Sequence, residues 1–326
     1  MVRKSIVRTL IALFVLGWAT GSMAEADWPT RPIEIVVPAA PGGGSDAVSR
    51  TVGELLSDAT GAQVIVNNLT GASGGRMMDY MANEPADGYT LGLFTISRFM
   101  PMIEGVLPYG VTDFSPVVFL TLEPNWIVAR SDDDRFQSID DVIAYARDNP
   151  GQLTIGGSGS LSTDDVIIQK FASEEGVEVN YIPFDGTAPA TVALLGGHVD
   201  LITGRLSSVV DHVEAGSLSL LLHFHSDEIE FEGEVVPSAV RDLAHEGGYP
   251  VHFRSFAVHG DTPSEIVTEI RRAVVNAMER ERFQQWLSAN AIDLVPQFGD
   301  RDPSAIWDAT YVEIERFFAA MDELDD

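Results

Sequence analysis

The chain has 326 residues, 45% of them hydrophobic, which is enough to bury the cores of two ordinary domains. Its formal charge is -29, from 49 acidic residues against 20 basic ones, so nucleic acid and anionic membrane surfaces are poor partners. Cysteine is absent, which excludes disulfides, zinc ribbons, thiol nucleophiles and iron-sulfur ligation.

In chain order the first feature is a leader. Arg3, Lys4 and Arg8 precede an apolar run at 10–18 and then Ser22-Met23-Ala24, the pattern of a secretory signal peptide (1–24) cleaved near Ala24. The run is too short to span a bilayer, which takes about 20 residues. Cleavage would remove three basic residues and no acidic one, leaving -32. With no cysteine behind it there is no lipid anchor, and export without an anchor points to the periplasm. Apart from the tail "MDELDD" the acids are scattered, as suits a surface that stays hydrated in a salty compartment. An anionic ligand would then need a locally electropositive pocket.

Past the leader, short apolar runs at 33–37, 64–66, 90–94, 126–129, 153–155, 179–182, 199–203, 218–224 and 253–259 predict buried strands. Amphipathic stretches at 47–59, 139–147, 166–175, 188–195, 264–279 and 304–321 predict helices. The alternation argues for an α/β chain with mainly parallel sheets covered by helices. "EPNWIVARSDDDR" carries a strand out of the first half and "VHFRSFAVHG" makes a similar strand later, with a block of domain size between them. The C-terminal part offers only "IDLVP" as a further strand, so it is expected to complete the first domain. Lobe 1 is therefore placed at 25–125 plus 255–326 and lobe 2 at 126–254, with two hinge crossings.

Two glycine turns stand out: "PGGGSDA" after the first strand, and "GGSGSLSTDD" at 156–165 in the second block. Each follows a strand and precedes a helix, where converging backbone N–H groups and the helix dipole attract a carboxylate or phosphate. Each also fits a plain strand-to-helix connection. The first turn satisfies G-x-G-x-x-A with Gly42, Gly44 and Ala47, but Asn67 and Asn68 stand where a dinucleotide site needs an acid. "GASGG" offers Ser73 as the nucleophile of a secreted serine hydrolase, although there is slack between Val66 and Ser73 where a nucleophile elbow must be sharp. His223 and His225, with Asp227 or Glu228, would put two imidazoles on one strand face for a transition metal, or are two ordinary histidines at a strand end. Arg205 and Arg98 both follow strand ends, where open α/β sheets place ligands, and either could pair with a carboxylate or lie on the surface.

The ordered series "WPTRPIEIVVPAAPGGGSDAVSR", "GASGG", "PADGYTL", "DFSPVVFL", "NPGQLTIGGSGS", "VNYIPFDGTAPATVALLGGHVDL", "EAGSL" and "GDTPSEIVTEI" resembles the tripartite tricarboxylate transporter substrate-binding receptors, also called Bug-type receptors. The likeness runs through nearly the whole mature chain. It implies a two-lobed periplasmic binding protein of the type II, Venus-flytrap kind, not an enzyme and without a cofactor. Such a monomer closes on a small carboxylate and hands it to a two-component membrane permease. It also implies that the turn 39–46 and the second-lobe segments 158–163 and 184–189 surround the ligand, with 200–204 nearby.

The expected ligand contacts in the first lobe are Ala40, Pro41, Gly42, Gly43, Gly44, Ser45 and Asp46, with Ser73 and Thr95. In the second lobe they are Ser158, Gly159, Ser160, Ser162, Thr163, Phe184, Gly186, Thr187, Ala188, Thr203 and Arg205. Asp46 is expected to cap its own helix and brace the turn, Thr187 to cap the next helix and donate to the ligand, and Gly43 to need an absent side chain so that backbone and anion can meet. The family's usual "ENRPGAGG" is "NNLTGASGG" here, losing an acid and an arginine at Asn67 and Leu69. Its usual glycine and histidine in the second turn are Leu161 and Asp165. These departures leave the ligand's own chemistry open.

Overall fold

The computed structural model describes residues 28–160, 162–226, 228–239, 249, 251–293 and 302–322. The leader with Ala24, Leu161, Asp227 and most of "IDLVP" lie outside them.

The first stretch runs β1 (Ile33–Val37), α1 (Gly44–Thr60), β2 (Val64–Asn68), α2 (Gly75–Asn83), β3 (Thr90–Thr95), the short α3 (Phe99–Ile103) and β4 (Phe114–Glu123). Next come β5 (Asn125–Arg130), α4 (Ile139–Asp148), β6 (Thr154–Ser158), α5 (Thr163–Glu175), β7 (Asn180–Phe184), α6 (Thr187–Leu195), β8 (Leu201–Arg205), the short α7 (Val210–Glu214) and β9 (Leu218–His223). A small hairpin, β10 (Ile229–Phe231) and β11 (Glu234–Val236), precedes β12 (His252–His259), α8 (Ser264–Met278), α9 (Glu281–Ala289) and α10 (Pro303–Asp322).

Two five-stranded sheets share one plan. Their orders are β2-β1-β3-β12-β4 and β7-β6-β8-β5-β9. Three parallel strands lead each sheet, an inverted strand follows, and the edge strand runs with the first three. The inverted strand in each is the one that has just crossed from the other lobe. Beta4 passes directly into β5 through Pro124, and β12 returns opposite β4 with His252 against Glu123. Beta5 starts opposite the end of β8, with Asn125 against Arg205. Both crossings therefore join the sheets at their carboxyl edges, and the turns after β1, β2, β3, β6, β7 and β8 are gathered on those edges. The first sheet takes in His252, Phe253 and Arg254, which the sequence reading had set before the boundary.

Each lobe has its own apolar core. In the first, α1 lays Val48, Val52, Leu55 and Leu56 on β1 and β3, with Phe256, Ile270 and Phe283 filling from β12, α8 and α9. In the second, Ile127, Ile155 and Leu201 meet Val142, Ile143, Ile167 and Phe171 from α4 and α5. The C-terminal segment completes the first lobe: Trp307 of α10 packs its ring 4.8 Å from Phe99 and 5.1 Å from Phe94, and Arg271 Nε of α8 donates to Val117 O at 2.8 Å.

The sequence reading passed over β4, a ten-residue strand containing Pro116. Proline argues against a central strand, but β4 is an edge, and Pro116 sits opposite Ala257 where the register with β12 shifts. The α2 and α9 helices were also unread. Among the described residues no helix is long and apolar enough to cross a membrane.

Candidate functional site

The first glycine turn is held from below. Asp46, buried in the first turn of α1, reaches back: its Oδ2 accepts from Gly42 N at 2.9 Å and Arg50 Nε at 3.0 Å, and its Oδ1 accepts from Asn68 Nδ2 at 2.9 Å. The Arg50 hydrogen bond, joined by those from Gly42 and Asn68, pulls the carboxyl down to about 2 against the opposing effect of burial. Asp46 thus faces inward. Gly43, the N-cap of α1, has no side chain to bond the first N–H groups of the helix. Ala40, Pro41, Gly42, Gly43 and Gly44 are exposed and Ser45 is half-buried. Within the protein the glycine held in close approach is Gly44. A Cβ on Gly44 would stand 2.9 Å from Arg254 Nη2, whereas one on Gly43 would meet only Ala40 O at 3.6 Å.

The second turn is braced from the crossing. Asp164, with 0% exposure, accepts from Ser158 N at 2.8 Å, Ser158 Oγ at 2.5 Å and Asn125 Nδ2 at 2.6 Å, and Arg205 Nη1 lies 3.9 Å from it. Ser162 caps α5, accepting from Asp165 N at 3.3 Å. Gly159 and Gly186 both donate N–H to Phe184 O at 2.8 Å, which ties the two second-lobe turns together. The Phe184 ring lies against Gly156 of β6. The cap of α6 is Gly186 at φ +116°; Thr187 is the first helical residue and its Oγ1 accepts from Arg205 Nη2 at 3.3 Å, so the expected Thr187 cap is corrected. Thr163 and Thr203 are buried with hydroxyls that have no partner among the described residues, while Ser160 and Ala188 are exposed.

Between the turns lies a charged cluster that sequence reasoning missed except for Arg98 and Arg205. Glu123, at the end of β4, accepts from Arg254 of β12 and from Ser207 of the second lobe, so one carboxylate spans the hinge. Burial works to raise Glu123, but Arg254, Arg205 and Ser207 outweigh it and hold the carboxyl below its ordinary range. Arg254 also donates to Thr121 Oγ1 at 3.1 Å and is opposite Thr95 in the sheet. Thr95 itself bonds Ser97 at 2.8 Å. Burial, and then the charges of Arg205, Arg254 and Arg98, push His252 well below its usual value, so it is neutral here. A chain of contacts therefore runs from Gly44 through Arg254 and Glu123 to Ser207, beside Arg205, and on through Asp164 to Ser158. The signal that could have found it is positional: Glu123, Arg205 and Arg254 all stand at strand ends beside the two crossings.

Ser73 is brought to the same edge but is not a nucleophile elbow. It is exposed on the turn Ala72–Gly74 at φ 52°, five residues beyond the end of β2, and makes no hydrogen bond among the described residues. His223 is buried 5.4 Å from the Trp126 ring, and burial, then His225, push it down to about 4 against the opposing effect of the Val236 backbone. Among the described residues no three His, Cys, Asp or Glu side chains could hold a metal together. A separate groove between α1 and β2, lined by Arg50, Glu54, Ser57, Asp58, Val64 and Arg282, contains none of the residues to which the sequence points.

Residues 48–301 match the model of the tripartite tricarboxylate transporter family receptor. The chain belongs to that family. Its members are transporter receptors rather than enzymes. Among relatives, it is 28% identical to protein BugT of Bordetella pertussis over 96% of each chain. A TctC solute-binding protein from Polaromonas, solved without ligand, superposes with a TM-score of 0.75 at 25% identity, covering 90% of this chain and 99% of that one. An R. palustris protein solved with adipate superposes with a TM-score of 0.73 at 28% identity, covering 90% of this chain and 97% of that one.

Proposed function

We propose that this receptor works in the periplasm, binds a small carboxylate between the carboxyl edges of its two sheets, and delivers it to a two-component membrane permease. The lobes are those expected from the sequence with 252–254 moved into the first, and the leader 1–24 directs export. Gly42 to Asp46 on one side and Ser158 to Thr163 on the other form the two cradles, with Phe184 to Ala188 shaping the wall.

The observation that carries this reading is a local reversal of charge. In a chain of net charge -29, Arg98, Arg205 and Arg254 all act on the buried His252, while Glu123 and Asp164 are the acids buried with them. With Asp46 paired by Arg50, the excess is positive on the edges that carry the glycine turns of both lobes. The adipate complex of the R. palustris relative supports a carboxylate as the compensating anion. A ligand touching both lobes binds the closed state better than the open one, which is the differential affinity that closure needs.

Thermal unfolding of the purified mature protein with acetate, benzoate, malate, adipate and citrate tests the reading. A bound acid at 100 times its Kd adds about 2.7 kcal/mol and raises Tm by several degrees. A flat result across the panel, repeated by calorimetry, would overturn it.

A further inference from the structure

The three arginines of the site differ in what they already hold. Arg254 is engaged by Glu123 and Thr121. Arg205 bonds Thr187 and lies 3.9 Å from Asp164. Arg98 has no such engagement. All three keep an Nε that is closed to solvent without an acceptor, but Arg98 alone of them has no hydrogen bond or ion pair to its guanidinium among the described residues.

Its placement is built. Arg98 ends the short turn Ile96–Arg98 that leaves β3 at the carboxyl edge. From there the side chain lies along the turn after β2, where Gly74 sits at φ +95° and a Cβ on it would stand 2.7 Å from Arg98 Cδ and 3.1 Å from Nη1. Only glycine leaves that space. Arg98 is half-buried, with its Nε closed off, and a guanidinium does not shed its proton in proteins, so a partly desolvated charge without a counter-charge is unfavourable until an anion arrives. Carboxylate is the group whose geometry its fork matches.

We propose that Arg98 is the charged anchor of the ligand, its guanidinium taking a ligand carboxylate and making the receptor select acids over their neutral amides. This rests on the receptor reading above and names the residue that sets its specificity. Arg254 and Arg205 hold the protein's own acids in place, and Arg98 is left for the solute. An amide of the same shape leaves the partly desolvated cation unpaired, the kind of mismatch by which a polar site discriminates.

Calorimetric titration of adipate, malate and citrate, each beside its full amide, against wild type, Arg98→Met and Arg98→Lys tests this. Wild type should favour the acid it binds by about 10- to 100-fold, the span of a hydrogen bond to a charged group. Arg98→Met should lose acid affinity by that factor with amide affinity unchanged, so the preference collapses, and Arg98→Lys should keep part of it. The unliganded Tm of Arg98→Met should equal or exceed that of wild type. If Arg98→Met binds the acid as wild type does, or loses acid and amide alike, the anchor is refuted while the receptor reading stands. If wild type binds none of the acids, both fall.

Discussion

The two glycine turns look alike in sequence and are supported differently. The turn of the first lobe is braced within its own lobe: Asp46 is held by Arg50, by Asn68 of β2 and by Gly42. The turn of the second lobe is braced by the crossing: Asp164 takes the Asn125 amide from the first residue of β5 and lies near Arg205 at the end of β8. In the first lobe the acid fixes a loop. In the second it fixes a loop to the hinge strand, so a shift of Asn125 and a shift of Ser158 are coupled through one carboxylate. The two turns are thus tied to the hinge by different routes, the first through the close approach of Gly44 to Arg254 and the second through Asp164 itself.

The largest expected effect separates them directly. Asp164→Ala strips partners from the Asn125 amide and from Ser158, and removes the acid nearest Arg205, all at 0% exposure. Breaking a buried charged network from one side costs about 3–5 kcal/mol. Urea unfolding should show a loss of that size, clearly above the loss for Asp46→Ala. Equal losses would mean that the hinge connection adds nothing.

Asp46→Asn is the next test, and pH sharpens it. A carboxyl held at about 2 instead of 3.8 contributes stability that is complete above its unfolded value, fades as pH falls through 3.8, and is gone below about 2. The variant should cost about 2–2.5 kcal/mol at pH 7 and converge with wild type near pH 2, because the drop from 3.8 to about 2 sets its size. A constant gap between pH 7 and pH 2 would show that the charge of Asp46 is not what holds the turn.

Much of this was legible in the chain. Alternating apolar runs and amphipathic stretches give the α/β lobes, because β1, β3 and α1 obey their own periods. Both crossings were marked by strands that arrive out of sequence with their neighbours. The turns were visible because glycine before a helix has few other uses. What could not be read was the pairing across distance. Glu123 and Arg254 are 131 residues apart in sequence, and either alone looks like a surface charge at a strand end. Asp164 and Asp165 are adjacent acids of one helix start, and only the fold buries the first at 0% exposure and leaves the second half-buried. Beta4 was hidden by Pro116, which a sheet edge tolerates and a sheet centre does not.

The smallest effect probes the first glycine turn itself. The sequence reading named Gly43 as the position that must lack a side chain, yet its φ is -77° and an added Cβ has ordinary clearance, so Gly43→Ala should change stability by no more than a few tenths of a kcal/mol. Gly44→Ala puts a Cβ 2.9 Å from Arg254 Nη2, the far end of a long side chain. Arg254 must give way by a few tenths of an ångström, which strains its bonds to Glu123 and Thr121 and costs about 1 kcal/mol, the lower end of overpacking penalties. The same displacement moves the guanidinium beside the start of α1, so ligand affinity should fall with stability for Gly44→Ala and hold for Gly43→Ala. Matched losses at both positions would place the close contact in the backbone of the turn and not at Arg254. The reverse order would return the role to Gly43.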